Sequence, residues 1–353
     1  MYIVIAIIAF GILIGVHELG HFATAKLFKI KVNEFSLGMG PTIFKKQRGE
    51  TMYSLRCLPI GGFCAIEGED GDSEDDRAFT SKPIWMRTAV LMAGSLSNFI
   101  IGFIIALLLN TIVPYGTPPV ITGFIDGFPL QGESGLMEGD RIVSVGGRRV
   151  NTYNEFTLFL SLENNEPVDL TVKRDGRIIE YRGLPLILRE YPDENGGTVT
   201  RYGLFFNSEK LDLPGIVKYS WYDCCYFVKL VRYSLGALLN GTAGLKDLSG
   251  PVGVVSAIND VGRQASGLGA GLIQVFYFIA FIAANLALMN MLPLPALDGG
   301  RVFLLLVTWV IEGVTGRKLN PKYEGYIHAA GMVLLLGLMA FIMFHDIWRI
   351  FTT

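Results

Sequence analysis

The sequence predicts a polytopic α-helical membrane protein with about four transmembrane helices, membrane-embedded hairpin or re-entrant loops, and an inserted extracytoplasmic β-rich domain. Three observations predict it. Of 353 residues, 51% are hydrophobic and only 18% are charged, with mean hydropathy +0.42, which is too apolar for an ordinary soluble chain of this length. Four apolar runs reach the roughly 20 residues needed to cross a bilayer. Between the second and third runs the character changes to polar segments with alternating hydrophobicity.

The first run covers about residues 2–28 and the second about 88–113. The third covers about 268–292, with a further apolar stretch at 302–310 after a break, and the fourth covers about 327–344. No Lys or Arg precedes Lys26, so the first run is not expected to be a cleaved signal peptide, although Ala23-Thr24-Ala25 imitates a cleavage site. Positive charge sets the expected orientation. Lys26, Lys29, Lys31, Lys45, Lys46 and Arg48 follow the first run, and Lys82 and Arg87 precede the second. Arg317, Lys318 and Lys322 lie between the third and fourth. Both connections should be cytoplasmic, which leaves the central region and both termini extracytoplasmic in a multi-pass cell-membrane protein. The acidic cluster at 67–76 then falls in a cytoplasmic loop, where a solvated, mobile segment is expected.

The central stretch 118–213 carries short alternating runs such as Val168-Asp169-Leu170-Thr171-Val172-Lys173, followed by the turn pair Asp175-Gly176, and reads as a small β-rich domain. After it, residues 214–248 mix Trp221, Tyr222, Tyr226, Phe227 and Tyr233 with Lys218, Lys229 and Arg232, a pattern suited to an amphipathic helix at the outer interface. The expected division is therefore 1–113, 114–213, 214–265 and 266–353. A net charge of −2 without a basic stripe gives no reason to expect nucleic acid. The four cysteines, Cys57, Cys64, Cys224 and Cys225, make no disulfide framework and read as small apolar residues.

Chemistry is concentrated in two places. His17-Glu18-Leu19-Gly20-His21 puts two imidazoles four residues apart on one helical face, where both can bind one Zn²⁺, with Glu18 beside them as general base. Ionisable groups inside an apolar span are costly and mark function by default. A catalytic zinc site needs a third protein ligand and an open position. The metzincin continuation is absent, because its glycine and third-histidine positions hold Thr24 and Leu27. The best candidate is Asp298, the only acid between Asp260 and Glu312. It lies in Asn290-Met291-Leu292-Pro293-Leu294-Pro295-Ala296-Leu297-Asp298-Gly299-Gly300, whose prolines and glycines should break the third run. Thr51-Met52-Tyr53-Ser54-Leu55-Arg56 reads as a hairpin strand beside this site, and His328 and His345 read as interfacial residues.

HExxH in the first span with NxxPxPxLDG in a later one resembles the site-2 protease family over nearly the whole chain. Gly94-Ser95-Leu96-Ser97-Asn98 is similar to its GxxxN element. Ser249-Gly250-Pro251-Val252-Gly253 is similar to its SGPxG turn, and Pro59-Ile60-Gly61-Gly62-Phe63 to its hairpin. Gly135-Leu136-Met137-Glu138-Gly139-Asp140-Arg141-Ile142 followed by Val145-Gly146-Gly147 looks like a PDZ pattern, with Ile142, Val145 and Val150 at core strand positions. One copy is present, so the chain resembles single-PDZ bacterial members of regulator of sigma-E protease type. The resemblance implies Zn²⁺ held by His17, His21 and Asp298, Glu18 as base, and substrate contacts from Asn290, Asn98 and Gly62, with Asn98 alternatively an interhelical hydrogen-bonding group. It implies single-span membrane substrates such as anti-sigma factors and remnant signal peptides. Arg201-Tyr202-Gly203-Leu204-Phe205-Phe206 reads either as a loop that receives a chain end or as a plain strand. Two other functions could use the same residues, a membrane metal-binding or transport protein and an inactive PDZ-bearing adaptor. Glu18 argues against the first, and the intact HELGH and LDG motifs against the second.

Overall fold

A computed structural model describes residues 1–69, 71, 73–192, 197–242, 251–316 and 322–352. Ser249, Gly250, Arg317 and Lys318 lie outside the described residues, as does the side chain of His345. Two compact units are present, Met1–Ala106 with Val231–Thr353, and Leu107–Leu230.

The first unit begins with helix α1 (Tyr2–Leu27), then strands β1 (Val32–Arg48) and β2 (Thr51–Ile66) and helix α2 (Ile84–Ile112), which continues into the second unit. Among the described residues, four helical stretches are long and apolar enough to cross a membrane: Tyr2–Leu27, Ile84–Ile112, Leu268–Asn290 and Gly325–Phe344. Along α2 the exposed side chains include Met92, Leu96, Ile100, Ile104 and Leu108. Their spacing of four draws one apolar line along the helix, a face that lipid would cover. The chain is a membrane protein.

Helix α1 ends where Lys29 takes a left-handed conformation (φ 57°) and the Ile30 amide donates to the Ala25 carbonyl at 2.8 Å, which closes the helix and turns the chain into β1. Strand β1 is paired on both sides in its first half: Phe35 lies opposite both Tyr53 and Cys64, and Leu37 opposite both Leu55 and Gly62. Strand β2 therefore bends around β1, and its 62–66 limb forms an outer edge. Among the described residues no other strand pairs with that limb. Beneath it, Ala25, Ile30, Val32, Ile66, Val90, Leu91, Val302 and Leu305 form one buried cluster.

In the acidic segment, Asp70 and Asp72 lie outside the described residues, and Glu67, Glu69 and Asp75 make specific contacts. Glu67 accepts hydrogen bonds from Asn33 and Ser73 and pairs with Lys31, Asp75 pairs with Lys31 and Arg77, and Glu69 pairs with Arg301. The Asn33 and Ser73 hydrogen bonds hold the Glu67 carboxyl below its ordinary range, and the Arg77 backbone amide followed by Lys31 does the same for Asp75. Lys31, Asn33 and Arg301 come from other elements to these acids, while Ser73 and Arg77 belong to the same segment.

The second unit contains β3 (Tyr115–Gly116), β4 (Gly123–Phe124), β5 (Arg141–Val145), β6 (Arg148–Arg149), α3 (Tyr153–Ser161), β7 (Val168–Arg174), β8 (Arg177–Leu184), β9 (Arg189–Pro192), β10 (Thr198–Arg201), β11 (Leu204–Phe205), β12 (Glu209–Lys210) and most of α4 (Leu213–Leu239). Its main sheet runs β6-β5-β7-β8. Val168, Leu170 and Val172 alternate inward with Ile142 and Val145, and all five are buried. Asp175 and Gly176 both take positive φ (48° and 82°) between β7 and β8, the turn geometry that matches the twist of a tight hairpin. Asp140 is fully buried and receives two hydrogen bonds of 2.7 Å from Arg174 and one of 2.9 Å from the Met137 amide. Arg174 is thereby held even more firmly in its charged form. Residues 204–205 form a strand against β4, and Gly203 (φ 80°) packs against Phe128 and Tyr191, so a side chain there would disturb the fold before it tested peptide capture.

The first unit resumes with α5 (Pro251–Gln264), α6 (Leu268–Asn290), α7 (Asp298–Thr315) and α8 (Lys322–Thr352). Ala6 and Leu13 of α1 pack with Ile258 of α5 and Val275, Ile279, Ile282 and Ala283 of α6.

Candidate metal centre

The break between α6 and α7 falls where the two prolines forbid a continuous helix. Ala296 takes φ 77° there, and its amide donates to His328 Nδ1 at 3.3 Å. Helix α7 then starts at Asp298. A Cβ on Gly299 would sit 2.3 Å from the Met291 carbonyl, and one on Gly300 2.0 Å from the Leu294 oxygen. The paired glycines thus let the first turn of α7 press against its own linker, which delivers Asp298 to the face of α1.

That face carries His17 and His21. Asp298 Oδ2 lies 3.1 Å from His17 Nε2 and 3.3 Å from His21 Nε2, and the two Nε2 atoms are 3.2 Å apart. His21 Nδ1 stands 2.8 Å from the Val90 carbonyl oxygen. A carbonyl only accepts, so Nδ1 carries the proton and the Nε2 lone pair faces inward. Asp298 Oδ2 is buried and has no hydrogen-bond partner. Converging in this way, these atoms make a donor set that can hold a cation. Ligands bound at about 2.0–2.1 Å in tetrahedral geometry are separated by roughly 3.3 Å, so the observed triangle has the dimensions of one face of a zinc site. Among the described residues this is the only group of three or more His, Cys, Asp or Glu side chains that converges in this way.

Glu18 stands outside the triangle but interacts electrostatically with all three of its members, and the Cys64 backbone amide is hydrogen-bonded to it. Gly62 is its other neighbour, because a Cβ there would lie 3.2 Å from Glu18 Cγ. The strand beside Glu18 is therefore the 62–66 limb of β2, whereas Thr51–Arg56 lies across β1 from it. Asn98 and Asn290 both bring a carboxamide nitrogen to 3.5 Å from His17 Nδ1. Asn98 is 1% exposed and its Oδ1 has no partner, a setting that suits an orienting contact across helices better than contact with substrate. Three supports escaped sequence reasoning: the Val90 carbonyl, the Cys64 amide and His328. The first two are backbone groups, which have no sequence signature.

Helix α2 fits this centre because residue 94 is glycine. A Cβ there would lie 2.4 Å from His21 Nε2 and 2.7 Å from His17 Cε1. Gly94→Val should therefore weaken zinc binding about five- to a hundredfold, the equivalent of an overpacking cost of about 1–3 kcal/mol. Zinc affinity of the purified variant, measured against a competing chelator, checks this.

Comparison with known proteins agrees with the geometry. Residues 5–338 match the model of Peptidase family M50. A Clostridium acetobutylicum protein described as a zinc metalloprotease is 35% identical, over 98% of this chain and 97% of its own length. A Fusobacterium nucleatum protein with the same description is 34% identical over 99% and 100%. The Regulator of sigma-W protease RasP of Bacillus subtilis is 28% identical over 98% of each chain. The chain belongs to Peptidase family M50, the site-2 proteases, and is a zinc metallopeptidase of regulated intramembrane proteolysis.

Proposed function

We propose that His17, His21 and Asp298 hold the zinc ion, that Glu18 is the general base, and that the substrates are single-span membrane proteins of the anti-sigma-factor or signal-peptide type. The convergence of three ligand atoms next to the Glu18 carboxyl carries this reading. A zinc ion held by His17, His21 and Asp298 would polarise a water at neutral pH. Glu18, beside the Cys64 amide, would take up a water proton at its carboxylate and return it to the departing peptide nitrogen. A helical substrate hides its amide bonds, so the segment to be cut must unwind. The unpaired 62–66 edge of β2 offers backbone groups to which an extended segment can add, with Asn290 and Gly62 alongside. The name of the Bacillus subtilis relative supports a substrate that governs a sigma factor.

The β-rich unit, with the Gly139-Asp140 turn leading into β5, supports a PDZ domain within the division 1–113, 114–213, 214–265 and 266–353. Basic residues around Lys45 and Lys82 support a cytoplasmic hairpin, with the PDZ domain and both termini outside. Single cysteines introduced at Lys45–Arg48 should be shielded from impermeant reagents in intact cells, and a cysteine at Asp175 should react. The reverse pattern would overturn the orientation.

A further inference from the structure

We infer that the β-rich unit carries a binding site for the headgroup of an anionic phospholipid, separate from the metal centre and independent of the proteolytic reading. A cavity of about 460 Å³ is lined by Arg141, Arg149, Lys173 and Lys218 with Asn151 and Tyr222. None of these four cations forms an ion pair among the described residues. Four unneutralised cations around one cavity of ligand size ask for an anion. Arginine with lysine suits phosphate oxygens, which accept a guanidinium pair and point charges together.

The surroundings of the cavity say where the anion comes from. Lys218 and Tyr222 lie on α4, and the neighbouring line of that helix exposes Leu213, Val217 and Trp221 at 79%, 52% and 51%. This apolar stripe starts close to the end of a membrane span. The Leu211 amide donates to the Pro114 carbonyl at 2.8 Å, two residues beyond the last residue of α2. Asn110, in the last turn of α2, donates to Ser220 at 3.1 Å and to Asp223 at 2.9 Å. The first turns of α4 thus run beside the point where α2 leaves the bilayer. A stripe of Leu, Val and Trp next to a cationic cavity at that level matches acyl chain and phosphate in one molecule. A free phosphate would use the cavity but not the stripe, and a peptide carboxylate would need neither the stripe nor the nearby span.

The test uses the full-length protein in detergent, titrated with phosphatidylglycerol, with phosphatidylcholine of equal acyl length, or with inorganic phosphate, and bound molecules are counted by native mass spectrometry. Phosphatidylglycerol should be retained over phosphatidylcholine. Arg149→Gln with Lys218→Gln should weaken its retention about twenty-five-fold, at about fivefold per neutralised cation, while zinc content stays unchanged. Arg149→Lys with Lys218→Arg should restore it, and Val217→Ser with Trp221→Ser should lower it as well. Equal retention of both lipids, or unchanged retention in the neutralised variant, would overturn the site. Inorganic phosphate that binds as tightly as the lipid would make this a free-anion site and also overturn it. So would loss of binding in the charge-conserving variant, or binding of a peptide carboxylate at these cations without the lipid.

Discussion

Glu18→Gln should cut peptide-bond hydrolysis by about 10²–10⁴-fold, the contribution typical of a positioned proton carrier, and leave one zinc per chain. The amide keeps the size of the carboxylate and can still accept the hydrogen bond from the Cys64 backbone, so the 62–66 limb has no reason to move. What it loses is the ability to take up a proton. Zinc should be unaffected because Glu18 is not one of the three atoms that converge. Turnover of a reconstituted substrate and metal content of the same preparation give the two readouts. Activity above a few per cent of wild type would remove Glu18 from its role, and loss of zinc would make it a ligand.

Asp298→Ala should have the opposite signature, with zinc lost first and activity lost with it. The substitution removes the only anionic member of the triangle and leaves two neutral nitrogens 3.2 Å apart. Loss of a residue that merely supports a ligand costs about 10–100-fold in affinity or activity, so loss of the ligand itself should exceed about a hundredfold. Asn290→Ala is the control. Its carboxamide lies 3.5 Å from His17 Nδ1, so zinc affinity should fall by no more than about tenfold while turnover suffers more. Equal zinc retention by both variants would place the third ligand elsewhere.

How far the sequence discloses this site depends on the kind of contact. His17, Glu18 and His21 are legible because helical periodicity alone puts positions 17 and 21 on one face. Asp298 is legible because a lone acid after two prolines in an apolar run has few structural uses. The four spans follow from length and hydropathy, and the Asp175-Gly176 hairpin follows from turn chemistry. Tertiary choices are not legible. Which limb of the hairpin faces Glu18 depends on the bend in β2 that wraps it around β1. Glu67, Glu69 and Asp75 read as part of a free loop because Lys31 and Arg301, which pair with them, come from other elements. His328, 30 residues beyond Asp298 in the chain, supports the linker through a backbone amide, a contact that no spacing rule encodes.

The central claim is the ligand set, and zinc K-edge X-ray absorption on the zinc-loaded full-length protein tests it most directly. Cys64 is a competitor, since its strand lies against Glu18, and sulfur is distinguishable from nitrogen and oxygen by distance. The account predicts only nitrogen and oxygen neighbours at about 2.0–2.2 Å, with two imidazole signatures, and loss of this shell in Asp298→Ala. A sulfur neighbour at about 2.3 Å, or an unchanged shell in Asp298→Ala, would contradict it.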